Sequence, residues 1–311
     1  MSKPFEIVVI SGKGGTGKTV FTSCLASVFR DKVVADCDVD APDLHLLFTP
    51  LVKRQEEFPG TPHASIDPEK CTGCGRCLQV CRFGAVTVAD GNGNGPAYGI
   101  DDLGCEGCGV CVWTCPAEAI SMKAGTGGKW YVSDTRFGTL VHARLGVAQE
   151  NSGKLVTVVR REARKAAIEK GCRFVVIDGP PGIGCPVIAS VAGANLAVAV
   201  TEPTLSGIHD LERVLELTGH FGVKTGVIIN KFDLNSEIVL KMERFLESAG
   251  VPLLGKIHFD TTVNRAIAEG RTVIEYSDSE VAQEISLVAR ETIALAEQRL
   301  ETGATAETKG S

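Results

Sequence analysis

Ser11-Gly-Lys-Gly-Gly-Thr-Gly-Lys-Thr19 decides how the rest of this chain is read. The stretch contains the pattern G-x-x-x-x-G-K-[ST], and it lies between a short β-rich apolar run, Phe5 to Ile10, and an apolar-periodic segment from about Lys18 to Phe29. Strand, glycine-rich loop and helix in that order make a phosphate cradle. Gly12, Gly14, Gly15 and Gly17, with Thr16 between them, let backbone N–H groups close around phosphate oxygens. Lys18 is expected to reach the β/γ-phosphates and Thr19 to hold Mg²⁺ at the positive end of the helix.

Outward from the loop, a second strand, Lys32 to Ala35, ends in the acidic cluster Asp36-Cys37-Asp38-Val39-Asp40. The pattern then breaks at Pro42, Pro50, Pro59 and Pro62, and the α/β rhythm stops. It resumes with a hairpin (Trp130 to Ser133, Thr139 to Ala143) and a helix from about Lys154 to Lys170. Strands at Phe174 to Ile177, Leu196 to Val200, Thr225 to Ile229 and Leu253 to Ile257 then alternate with helices near Ile208 to Thr218 and Ser236 to Ser248. Continuous apolar strands alternating with helices predict a doubly wound, mostly parallel sheet covered on both faces. The expected organisation is an α/β P-loop NTPase domain over 1–58 and 125–302, an inserted domain over 59–124, a last helix Ser279 to Leu300 and a disordered tail over 303–311.

The bulk properties agree with two domains in 311 residues. With 44% hydrophobic and 23% charged residues, the chain has the composition of a globular protein. The net charge of −6, without a run of Lys or Arg, argues against a nucleic-acid partner. The longest apolar stretches are far too short for a membrane span, and Met1 to Glu6 has no apolar signal core, so a cytoplasmic protein is expected. Twelve cysteines in a reducing compartment read as metal ligands rather than disulfides, and eight of them cluster in one stretch.

That stretch holds Cys71-x-x-Cys74-x-x-Cys77-x-x-x-Cys81 and Cys105-x-x-Cys108-x-x-Cys111-x-x-x-Cys115-Pro116. The two runs resemble those of bacterial two-cluster ferredoxins, which implies an inserted α+β ferredoxin-like domain with two [4Fe-4S] clusters. In that family the fourth cysteine of each run ligates the other cluster. The resemblance therefore implies the sets Cys71, Cys74, Cys77 with Cys115, and Cys105, Cys108, Cys111 with Cys81. Zinc needs only four ligands per site and gives no reason for interleaving two runs. Arg82 stands where the second run has Pro116, and its charge is expected to act on one cluster's potential. Cys24, Cys37 and Cys172 read as small core residues, and the six histidines have no paired spacing.

The loop itself, with its additional Lys13, resembles the deviant P-loop of the MinD/ParA/nitrogenase iron protein group. That resemblance covers about residues 3–57 and 125–300, and it implies ATP as the nucleotide and an ATP-dependent homodimer, or a heterodimer with a similar ATPase. It further implies that Lys13 crosses to the partner's nucleotide, that Asp36 and Asp38 stand near Mg²⁺ and the attacking water, and that Asp38 positions that water. Asp40 has a weaker claim. In Val175-Val-Ile-Asp-Gly-Pro-Pro-Gly182 the likeness places Asp178 near Mg²⁺ and makes Gly179 to Gly182 a γ-phosphate-sensing switch. Thr201-Glu-Pro203 and Asn230-Lys-Phe-Asp233 would flank the base, with Asn230 recognising adenine. Cys185 stands at an offset similar to a cluster ligand of the nitrogenase iron protein, but that protein's second cluster cysteine has no counterpart here.

Three functions follow from these features. The first is an ATPase that couples dimer rearrangement to electron transfer toward a redox or iron–sulfur protein partner. The second is a cluster assembly or carrier ATPase like the Mrp group, although the carboxy-terminal C-x-x-C of that group is absent. The third is a MinD/ParA-like positioning ATPase with redox-sensing clusters, for which the last helix lacks a membrane-binding basic face.

Overall fold

β1 (Phe5–Ser11) is buried at every position, Glu6 included. The Glu6 carboxylate is accommodated because Arg160 and Arg164 both pair with it, so a buried charge is matched rather than orphaned. The computed structural model describes residues 3–89, 96–146 and 152–307. Beyond β1 the chain forms α1 (Lys18–Val28), β2 (Lys32–Asp36), α2 (Leu44–Phe48) and β3 (Leu51–Ile66). Next come α3 (Arg76–Val80), β4 (Val86–Ala89), β5 (Ala97–Ile100), α4 (Val110–Thr114), β6 (Ile120–Thr135) and β7 (Gly138–Leu145). Strict alternation then returns with α5 (Ser152–Lys170), β8 (Phe174–Pro181), α6 (Cys185–Val191), β9 (Leu196–Thr201), α7 (Leu205–His220), β10 (Lys224–Asn230), α8 (Ser236–Ala249) and β11 (Leu253–Ile257). Three helices close the chain, α9 (Thr262–Ala268), α10 (Val273–Tyr276) and α11 (Glu280–Glu307).

The main sheet has the order β11-β10-β9-β1-β8-β2-β7-β6-β3. From β11 to β7 every neighbouring pair is parallel. Because β1 lies between β9 and β8, the order reverses beside the strand that feeds the P-loop, and ligands of open α/β sheets bind at that place, outside the carboxyl ends of the strands. The register sets Asp36 of β2 directly opposite Asp178 of β8. The core packs β1, β8 and β9 against α1 and α11, with the rings of Phe5 and Phe29 4.8–5.8 Å from that of Phe174.

Two features depart from the sequence-based expectation. Pro59 and Pro62 do not end the sheet but lie within β3, because β3 is the edge strand and an edge tolerates residues without an N–H to donate. The last helix continues to Glu307 instead of stopping near Leu300, so the first part of the expected tail is helical; residues 308–311 lie outside the described residues.

The chain divides into two compact units. One comprises Met1–Glu56, Trp130–Arg144 and Ser152–Ser311; the other comprises Glu57–Lys129 and the short stretch that begins at Leu145. The chain leaves the first unit within β3 and returns to it within β6. The second unit contains the antiparallel pair β4–β5, the short helices α3 and α4, and a small core of Ala64, Val86 and Ile120 packed with Cys77 and Cys111.

Candidate nucleotide site and cysteine cavities

The P-loop joins β1 to α1, and Gly17 caps the helix in the left-handed region (φ 93°). A side chain there would be strained, and its Cβ would lie 2.4 Å from the Asn230 amide. Gly12 is constrained differently: a Cβ at that position would lie 2.4 Å from Cβ of Asp210. The loop borders a cavity of about 590 Å³ lined by Gly14, Gly15, Thr16, Gly17, Lys18 and Thr19. Asp38, Asp40 and Asn230 also line it, whereas Gly12, Lys13, Asp178 and Pro203 do not. Thr16 Oγ1 is buried without a hydrogen-bond partner, an unmet polar atom at the mouth of a phosphate cradle.

Beneath the loop the acidic strand ends converge. Thr19 Oγ1 donates to Asp178 at 2.7 Å, Thr22 Oγ1 donates to the other oxygen of Asp178 at 2.9 Å, and Lys18 Nζ lies 3.4 Å from Asp38 and 3.7 Å from Asp178. Asp36 is fully buried and accepts from the N–H groups of Asp38 and Leu44, at 3.2 Å each. Burial, and then the Asp178 charge, push the Asp36 carboxyl well above the usual carboxylate range; burial raises Asp38 as well. Burial would lower Lys18, but Asp178, Asp38 and Asp36 outweigh it and hold the ammonium above its ordinary value. Asp38 and Asp178 around one lysine, with the raised Asp36 carboxyl beside them, leave an excess of negative charge, and a divalent cation bound there would relieve it.

Asn230 lines the cavity and also braces the loop, whereas Pro203 departs from expectation. The Asn230 amide donates to the Thr16 carbonyl at 2.8 Å and its oxygen accepts from Lys231 N at 3.0 Å, so the side chain braces the P-loop. Pro203 is buried in the turn after β9, away from the cavity lining. Two residues that sequence reasoning did not single out border the loop. Lys231, held at a positive φ of 56°, reaches the Gly15 carbonyl at 3.3 Å, and Glu202 pairs with both Lys13 (2.6 Å) and Lys231 (3.0 Å). Both stand inside the segments Thr201–Pro203 and Asn230–Asp233, so their neighbourhood was legible even though their partners were not.

In the second unit the eight clustered cysteines sort into two small cavities. Cys71, Cys74, Cys77 and Cys115 line one; Cys81, Cys105, Cys108 and Cys111 line the other. Each cavity takes three cysteines from one run and one from the other. All are free thiols, and backbone N–H groups of Ala119 and Ala64 reach Cys115 Sγ and Cys105 Sγ at 3.3 and 3.4 Å. Burial would raise Cys81, but the N–H groups of Ala85, Phe83, Val86 and Gly84 outweigh it and favour the thiolate. Among the described residues no three His, Cys, Asp or Glu side chains converge on a point where a single ion would sit. Cys24 and Cys37 are buried core thiols, and Cys185 is exposed at the start of α6.

The family model for the CobQ/CobB/MinD/ParA nucleotide binding domain matches residues 7–273. The chain belongs to this family. It is a P-loop ATPase of the MinD/ParA type. Among its relatives, the Methanocaldococcus jannaschii protein MJ0578 is 37% identical over 74% of this chain and 79% of its own length. MJ0579 of the same organism is 26% identical over 89% of this chain and 94% of its own. Septum site-determining protein MinD of Pyrococcus horikoshii, solved with Mg-ADP, shares the fold at a TM-score of 0.58 and 18% identity, covering 95% of this chain and 98% of that one. No helix among the described residues is long and apolar enough to cross a membrane.

Proposed function

We propose that this ATPase couples ATP-driven dimer rearrangement to electron transfer through two [4Fe-4S] clusters held by the second unit. The observation that carries this reading is the exchange of one cysteine between the two runs in each cavity. That exchange is the ligation pattern of two-cluster bacterial ferredoxins, and a structural zinc site, whose donors meet at one ion, has no use for it. Four thiols per cavity, with apolar walls such as Ile66 and Ile120 in the first and Val86 and Ile100 in the second, fit a thiolate-ligated group packed on one side against the small core. When bound, such groups supply one-electron capacity. The Ala119 and Ala64 N–H groups stabilise negative charge on the ligating sulfurs.

At the nucleotide site, the Mg-ADP in the Pyrococcus horikoshii relative supports ATP and Mg²⁺ as ligands here. Lys18 neutralises the β/γ-phosphates, Thr19 and Asp178 hold the Mg²⁺ side of the site, and Asp38 at the cavity wall orients the attacking water. Lys13 completes the site of a partner chain, either a second copy or a similar ATPase.

The likeness of fold to MinD supports a second reading, a positioning ATPase whose clusters sense redox state. One preparation separates the readings. Purified anaerobically, the chain is expected to carry about eight iron and eight acid-labile sulfide, with reducible EPR signals. About four iron with zinc removes electron transfer. Full clusters that are reduced but pass no electrons to an acceptor during ATP turnover favour positioning.

A further inference from the structure

The second unit repeats its own backbone. Gly75 (φ 72°, ψ 1°) and Gly109 (φ 72°, ψ 0°) start α3 and α4, and Cys81 (φ −76°, ψ 105°) and Cys115 (φ −76°, ψ 108°) end them. Arg76 is therefore the structural counterpart of Val110, and Thr72 that of Glu106. Thr72 and Arg76 line the first cavity; Glu106 and Val110 line the second. The first cavity thus carries a cation, Arg76, where the second has Val110, and the second carries an anion, Glu106, where the first has Thr72. A further difference has the same sense: Tyr98, whose hydroxyl lies beside Gly75, lines the first cavity, and Phe83 lines the second.

We infer that the two sites have unequal reduction potentials, with Cys71/Cys74/Cys77/Cys115 the higher and Cys105/Cys108/Cys111/Cys81 the lower. This rests on the reading that each cavity holds a [4Fe-4S] cluster. One-electron reduction adds a unit of negative charge to a site. Arg76 stabilises that charge at the first site, and Glu106 opposes it at the second. An electron delivered to the lower site by a low-potential one-electron donor passes to the higher one; one site loses an electron, the other gains it, and no bond or proton changes. The electron rests beside Arg76, where an acceptor collects it. Arg82 after Cys81 and Glu118, three residues beyond Cys115, act in the opposite sense, but neither lines its cavity. Because Arg76 and Glu106 are themselves exposed, the inequality shrinks as ionic strength rises.

The test is a dithionite titration of the anaerobic full-length protein followed by EPR, with iron and sulfide analysis on the same sample. The wild type is expected to show two resolved midpoints. Arg76→Gln lowers the higher one and leaves the other in place, Glu106→Gln raises the lower one, and the double variant narrows the gap. Both substitutions fall on exposed side chains, so folding is retained. Coincident midpoints in fully loaded wild type, or an Arg76→Gln variant that moves the lower wave, overturn the inequality and leave the cluster reading intact. A chain that binds no iron and sulfide overturns the cluster reading, and this inference with it.

Discussion

The Lys13 ammonium lies 2.6 Å from the Glu202 carboxylate of its own chain, and Lys231 pairs with the same carboxylate at 3.0 Å. Burial would raise the Glu202 carboxyl, but its contacts with Lys13 and Lys231 outweigh that and hold it low. To serve a partner's nucleotide, Lys13 must leave this anion. Lys13→Ala is expected to lower kcat by roughly 10³-fold, the scale of a charge supplied in trans, while the isolated chain keeps its ATP affinity. Glu202→Gln is expected to tighten the ATP-dependent dimer in sedimentation equilibrium. The same tightening in a Lys13→Ala background would show that Glu202 does not act through the lysine.

Lys18 and Asp38 lie 3.4 Å apart but are expected to fail differently when replaced. Lys18→Ala leaves phosphate charge uncompensated and abolishes ATP binding. Asp38→Ala keeps binding and loses about 10²-fold or more in kcat, because the water is no longer placed. Nucleotide titration beside single-turnover hydrolysis separates the two, and equal loss of both properties in Asp38→Ala would refute its assignment.

Asp36 makes stability depend on pH. Burial, and then the Asp178 charge, raise its folded carboxyl well above the usual carboxylate range, so the folded state holds a proton that the unfolded state has already released. Stability of the nucleotide-free protein therefore falls as pH rises above about 4, and Asp38, raised likewise, adds to the fall. Asp36→Asn removes the larger contribution. Its melting temperature is expected to gain on the wild type progressively as pH rises above about 4. A difference independent of pH would mean that the carboxyl is ionised in the fold.

Coupling between nucleotide and clusters is the most exposed prediction. The strand that carries Asp36 leads through α2 into β3, along which the chain enters the second unit. If ATP shifts a cluster midpoint, redox state must shift nucleotide affinity by the same free energy. A coupling of about 1–3 kcal/mol corresponds to roughly 40–130 mV for a one-electron couple. EPR titrations of Asp38→Ala with ADP and with ATP measure it, and identical midpoints with equal nucleotide affinities would leave two independent modules.

Much of this was legible in the chain because local patterns carried it. The P-loop pattern, the apolar strands and the cysteine spacing are short-range signals, and the doubly wound parallel sheet follows from strand–helix alternation once β1 and its loop are recognised. The insertion was legible as a break in that alternation. Its first strand was not: Pro59 and Pro62 read as breakers, and only a place at the sheet edge makes them compatible with β3.

By itself the sequence determined the residue types: a phosphate-binding loop, acidic strand ends and eight thiols in two runs, all set by spacing along the chain. Only the tertiary structure decided which groups meet. It turned Asn230 onto the Thr16 carbonyl, gave Lys13 and Lys231 one shared carboxylate in Glu202, and set Arg76 in one cysteine cavity and Glu106 in the other. The physical reason is that a hydrogen bond or an ion pair acts over a few ångströms in space, and residues as distant in sequence as 13 and 202 come within that range only when parallel strands align their ends.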